Sequence, residues 1–177
     1  ATFTLLRLVF WLLGRKLPAD HTAIVTVRIP VRPSVVFDLI ADAPGHARWA
    51  AGVSRVEPVE DRDGHPAVRQ YMGRNSFVLV STTIDRHRTP VRTIADDNAA
   101  FSGRWIYTLE PIDNPAGGNA TRLTLTEEGT IPAAIPRAVM RYVFSYDMYA
   151  KRHLISLAKQ FPPMIAATAA DANAAPN

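Results

Sequence analysis

The chain offers five histidines, sixteen acidic residues and twenty lysines and arginines, and it contains no cysteine. That excludes disulfides, thiolate metal sites and a cysteine nucleophile. His21, His46, His65, His87 and His153 are scattered, and no two stand at metal-ligand spacing on one element. There is no Gly-x-Ser-x-Gly elbow, no phosphate loop and no dinucleotide fingerprint. The sequence therefore calls for no metal and no cofactor. Three residues are left as candidates for acid–base work: Glu127, Tyr107 and His153. Glu127 shares strand parity with Leu123 and Leu125. If it points inward, an apolar surrounding raises its pKa and lets it exchange a proton near neutrality. A bulge near Gly129 or an exposed strand end is the favoured alternative. His153 lies beside the apolar stripe of a helix, where a half-buried structural histidine is the more common outcome. Trp105, Tyr107 and Tyr71 could line a cavity or simply fill a core. Arg69 and Arg104 take the opposite strand parity and read as surface.

These side chains need a scaffold, and the sequence spells one out. Residues 22–30 alternate, with Val25, Val27 and Ile29 on one face, as a strand with one buried face does. Ser34 to Ala43, with Pro33 near its start, is then a helical run carrying Val35, Val36, Phe37, Leu39 and Ile40, which Pro44-Gly45 ends; a second short helical piece, His46 to Ala50, contains Trp49. Six strands follow: 53–59, 67–72, 77–84, 90–94, 101–109 and 121–131. Short turns join them, and Asp63-Gly64 is a hairpin signal. The last element, Pro136 to Phe161, has no internal Pro or Gly. Val139, Val143, Tyr146, Ala150, Leu154 and Leu157 recur at steps of three and four, predicting a single amphipathic helix of about 26 residues, ~39 Å long. An antiparallel sheet with one buried face needs a cover, and this helix is the only element long enough. The predicted class is α+β, a curved seven-stranded antiparallel sheet wrapped round a long C-terminal helix, with two short helices between the first and second strands. The space between sheet and helix is the natural pocket.

At 177 residues with 47% hydrophobic and 20% charged content, the chain has one domain's worth of core. The expected division is an apolar segment over 1–20, a domain over 21–163 and a flexible Ala-rich tail over 164–177. The net charge of +4 gives an electropositive surface. No strand carries the aromatic-plus-basic pattern of an RNA-binding sheet, so nucleic acid is not an expected partner. The apolar run of residues 3–13 is too short to span a bilayer, and Arg7 interrupts it. Three readings stay open for it: the end of a longer membrane helix, an interfacial helix, or a helix packed on the domain. Arg15-Lys16 after the run puts the domain on the cytoplasmic side if a membrane is involved.

The order of elements and several local residues resemble the START-like (SRPBCC) superfamily, the helix-grip proteins. This group includes birch-pollen-allergen-like proteins, lipid-transfer START domains, bacterial polyketide cyclases and coenzyme-Q-binding relatives. The segment from Ile29 through Pro33, Val36 and Phe37 to Asp42, with Trp49 after it, looks like the family's first strand, first helix and following Trp. Gly103-Arg104-Trp105 with Tyr107 and Leu109, then Thr121 to Leu125 and Gly129, look like its last two strands. The likeness spans about residues 22–161 and is specific for fold, which hosts carriers, sensors and enzymes alike. It implies an internal cavity holding an apolar small molecule such as a lipid, sterol, quinone or polyketide. The residues expected to line that cavity are Tyr71, Trp105, Tyr107, Leu125, Glu127, Val143, Tyr146 and Ala150. A cyclase- or dehydratase-type enzyme and an interaction module are the alternatives. A membrane surface met through residues 3–13 is the other expected partner.

Overall fold

A computed structural model describes residues 2–85, 88–95, 101–114 and 117–161. The expected tail, 164–177, lies outside them. The chain runs α1 (Thr2–Arg15), β1 (Asp20–Ile29), α2 (Pro33–Ala41), α3 (His46–Trp49) and then β2 (Val53–Arg62), β3 (His65–Met72), β4 (Asn75–Asp85) and β5 (Thr89–Ile94). It finishes with β6 (Ser102–Asp113), β7 (Asn119–Thr130), α4 (Ala134–Tyr142) and α5 (Met148–Ala158). The strands form one seven-stranded antiparallel sheet in the order β1-β7-β6-β5-β4-β3-β2. The six later strands follow one another as a meander because few residues separate each strand from the next. At the Asp63-Gly64 turn both residues have positive φ, 52° and 75°, the backbone a two-residue hairpin needs. The first strand pairs with the last along its whole length, from Asp20 opposite Thr130 to Ile29 opposite Thr121.

Strand parity sends alternate side chains to the concave face. Ile29, Leu109, Leu123 and Leu125 are buried there, against Val36 and Ile40 of α2 and Ala150, Leu154 and Leu157 of α5. A smaller cluster, Ala67, Val78 and Val80, packs on the opposite face. Gly103 is needed where β6 meets β7, since a Cβ there would overlap the Glu128 carbonyl.

The C-terminal helix differs from the sequence expectation. It is not one rod but two pieces, α4 and α5, separated at residues 143–147. The Phe144 amide bonds the Val139 carbonyl, five residues back, and the Met148 amide turns to Ser145. The Ser145 hydroxyl bonds the Asp147 carboxylate, a local alternative to helical pairing that Ser and Asp favour. Apolar spacing runs straight through this break, so periodicity alone does not reveal it. Tyr146 keeps to the inner side across the break, and its ring stacks on His21 at 4.4 Å. The break leaves Val143 58% exposed, so the expected lining role of Val143 is corrected: its side chain is not in the seam.

The N-terminal segment forms α1 and packs along α4. Gly14 makes the close approach, because a Cβ would overlap the Ala134 carbonyl, and Arg137 donates to the Leu17 carbonyl at 2.8 Å. Among the described residues no helix is long and apolar enough to cross a membrane.

Candidate functional site

The interior between α5 and the sheet is not purely apolar. α5 presents Ala150, His153, Leu154 and Leu157 to the sheet, a helical step of three, one and three. α3 is a single turn, long enough to put His46 and Trp49 on one side; their rings meet at 4.7 Å. β5 and β6 add Arg92 and, directly opposite it, Trp105, with Tyr107 two residues on. The result is a buried group of polar and aromatic side chains. His46, Arg92 and His153 are 2%, 5% and 7% exposed, and Tyr107 is fully enclosed.

His153 is its centre. Its Nε2 shares a hydrogen bond of 3.1 Å with the Tyr107 hydroxyl. The indoles of Trp105 and Trp49 stand 4.7 and 5.1 Å from its ring. His46 is the second imidazole, 6.2 Å away. Arg92 Nη1 donates to His46 Nδ1 at 2.9 Å, and Arg92 Nη2 donates to the Ile40 carbonyl. A guanidinium can only donate, so His46 Nδ1 is bare and its proton sits on Nε2, which donates to the same Ile40 carbonyl at 3.2 Å. Burial, the Arg92 charge and His153 push His46 down to about 2. Burial and Arg92 push His153 down to about 3. Both rings are therefore neutral at pH 7. Burial also lowers the Arg92 guanidinium from its ordinary value and raises the Tyr107 phenol above its own. Among the described residues the buried Trp49 indole N–H has no partner. A buried donor left unpaired is costly, and a ligand acceptor would satisfy it.

A second group lies toward the β1 end. Glu127 and His21 approach to 3.5 Å, with Tyr146 stacked on His21. Gly129 makes room for the imidazole, since a Cβ there would press on the ring. Burial pushes the Glu127 carboxyl up, while His21 and the Trp105 side chain pull it down. Glu127 Oε2 and His21 Nδ1 are buried and have no hydrogen-bond partner among the described residues. Outside them a cleft of about 330 Å³ opens between β1 and the α4–α5 break, lined by Thr22, Ala23, Ile24, Arg141, Phe144, Ser145, Tyr146 and Asp147.

Of the residues singled out from sequence, Trp105, Tyr107, Leu125, Ala150 and His153 meet in the first group, and Glu127 and Tyr146 in the second. Glu127 points inward, against the favoured sequence reading, because β7 stays regular to Thr130 instead of bulging at Gly129. Tyr71 joins neither. The ladders put it on the face opposite Tyr107, where its hydroxyl bonds Glu57 at 2.7 Å and Arg55 lies over its ring. Arg104 is at the surface, paired with Glu128 at 2.6 Å. Sequence reasoning missed His46, Arg92, Trp49 and His21. The signal for Arg92 was available: it is the lone charge in Thr89–Ile94 and shares the parity of Ile94. Nothing local marks His46, whose partner is 46 residues away. Among the described residues no group of three or more His, Asp or Glu could hold a metal ion.

The family described as "Polyketide cyclase / dehydrase and lipid transport" matches residues 20–158. Among solved structures, the Zhui aromatase/cyclase from Streptomyces sp. R1128 superposes with a TM-score of 0.66 at 15% identity, over 80% of this chain and 93% of that one. A START superfamily protein from Mycobacterium smegmatis gives 0.58 at 15% identity, over 78% and 92%. The di-domain ARO/CYC BexL gives 0.58 at 18% identity, over 85% of this chain and 53% of that one. At such identities the likeness is one of fold. None of the curated proteins matches the sequence.

Proposed function

The chain belongs to the polyketide cyclase/dehydrase and lipid transport family, and from that premise we propose that it binds and carries a ring-bearing apolar small molecule between α5 and the inner face of the sheet. The observation that carries this reading is the Tyr107–His153 hydrogen bond of 3.1 Å, enclosed by the indoles of Trp49 and Trp105. Aromatic walls stack on a ring, and a few convergent polar groups orient it. An oxygen of the ligand would meet the Tyr107 hydroxyl, the His153 imidazole or the unpaired Trp49 N–H. The protonation states favour holding over reacting. An imidazole that accepts its proton only near pH 3 is a feeble base at neutrality, and a phenol raised above its ordinary value is a feeble acid. Both remain good hydrogen-bonding partners. The apolar segment of α1 is the part we assign to a membrane surface.

The test compares naphthalene with 1-naphthol by fluorescence titration. Wild type is expected to prefer 1-naphthol by about tenfold, the worth of one well-placed hydrogen bond. Tyr107→Phe is expected to keep naphthalene binding and lose most of the preference. Failure to bind either probe would overturn the reading.

One observation supports a cyclase- or dehydratase-type enzyme as a second reading. Glu127 is an inward carboxyl pushed toward neutrality, with one oxygen unpaired, as a proton-transfer group at a carbonyl compound would be. A dehydrated, cyclised product from a poly-β-keto thioester, abolished by Glu127→Gln, would decide for it.

A further inference from the structure

α1 is apolar on nearly every side yet buried on only one. Phe10 and Gly14 are its sheltered positions, followed by the half-buried Leu17 just beyond its end. Leu5, Leu8 and Leu12 form an outward stripe at 64%, 52% and 49% exposure, with Leu6 at 53% beside it. A helix of this kind is normally covered, and a contiguous exposed apolar stripe rimmed by polar residues marks a docking surface. α1 ends where α4 begins and packs along it, so the end of α4 returns toward the start of α1. There the break adds Tyr142, Val143 and Phe144, at 55%, 58% and 49% exposure.

The charges name the occupant. Residues 2–19 and 131–146 contain no Asp or Glu. They carry Arg7, Arg15, Lys16 and Arg141, all exposed, with Arg15 folded over the Trp11 ring at 4.5 Å and Arg141 over Tyr142 at 5.9 Å. A second copy of the chain would bring cation against cation. An anionic bilayer accepts both the apolar stripe and the cations, with Trp and Arg at headgroup level.

We infer that α1 and the Tyr142–Phe144 tip of α4 form one face that docks on an anionic phospholipid surface, with the cleft at the α4–α5 break opening toward the lipid. Phe144 and Arg141 belong to both the face and the cleft, whose wall continues through Tyr146 to His21 and Glu127. A ligand dissolved in the bilayer would thereby reach the interior without crossing water. This deepens the assignment of α1 to a membrane by fixing the lipid charge, the second contributing segment and the orientation.

The test is flotation of the full chain with vesicles of phosphatidylglycerol and phosphatidylcholine, against phosphatidylcholine alone. Binding to the anionic vesicles should fall about fivefold on Arg7→Gln, by the worth of one cation near a charged surface, and fall again with added salt. Leu5→Ser/Leu12→Ser should abolish it, and Phe144→Ser should weaken it severalfold while circular dichroism stays unchanged. Equal binding to neutral vesicles, or none to either, would overturn the docking. Full binding by a folded Phe144→Ser variant would overturn the orientation. Sedimentation equilibrium giving a dimer that Leu5→Ser/Leu12→Ser dissociates, without flotation, would assign the face to a second copy instead. Flotation needs no internal ligand, so its failure and failure of naphthol binding are separate results.

Discussion

At the scale of single residues, the interior histidines hold the clearest energetic signature. Folding lowers His46 to about 2 and His153 to about 3 from an ordinary 6.5, mainly by burial. The unfolded chain binds protons through the window from 6.5 down to about 3 that the native state refuses. Stability therefore falls as pH drops through that window, by up to about 1.4 kcal/mol per pH unit for each ring. Above 6.5 both states are neutral and the contribution is complete. Glu127 acts in the opposite sense, because a raised carboxyl gives back stability as it protonates. His153→Gln, which keeps a hydrogen-bonding partner for Tyr107, is expected to flatten the acid limb by about 1.4 kcal/mol per pH unit relative to wild type. Denaturant midpoints between pH 4 and 8 read the difference; parallel limbs would mean His153 titrates normally in the native state.

At the scale of elements, α5 carries the cover of the sheet despite being only Met148–Ala158. Leu157 is fully buried with Leu154 against the β1 and β7 side of the core. Leu157→Ala is expected to cost about 2–5 kcal/mol in urea melts, the transfer of the lost methyl groups plus the cavity left behind. A loss under about 1 kcal/mol would mean that α5 collapses onto the gap or does not seat this residue in the core. Tyr146, four residues before Ala150, keeps to the inner side across the break before α5, where it stacks on His21 and closes the end of the seam beside Glu127.

At the scale of the whole molecule, the seven-stranded sheet and its inner cover are complete without α1. β1 pairs with β7 over its full length, and α2 and α5 supply the inner cover. α1 meets the rest through α4. Removing residues 1–17 is therefore expected to leave a folded domain with an unchanged cooperative melt. It should also abolish flotation with anionic vesicles and spare 1-naphthol binding. A chain that fails to fold without these residues would make α1 part of the core.

Much of this architecture was legible in the sequence because it depends on near neighbours. Alternation at period two marks the seven strands, Pro33 and Pro44-Gly45 bracket α2, and Asp63-Gly64 fixes a hairpin, all from residues within a few positions of one another. Parity likewise sends Tyr107, Leu125 and Glu127 to one face. Tertiary structure decided what those side chains meet. His46 and Arg92 are 46 residues apart, as are Tyr107 and His153, and His21 and Glu127 are 106 apart. Each pairing depends on sheet curvature and on where the covering helix rests, which sum small twists over many residues. The helix break belongs with them. Apolar spacing and the absence of Pro or Gly argued for one rod, but local propensities differ by only tenths of a kcal/mol per residue. Ser145–Asp147 bonding and the seat of Tyr146 on His21 are enough to outweigh them.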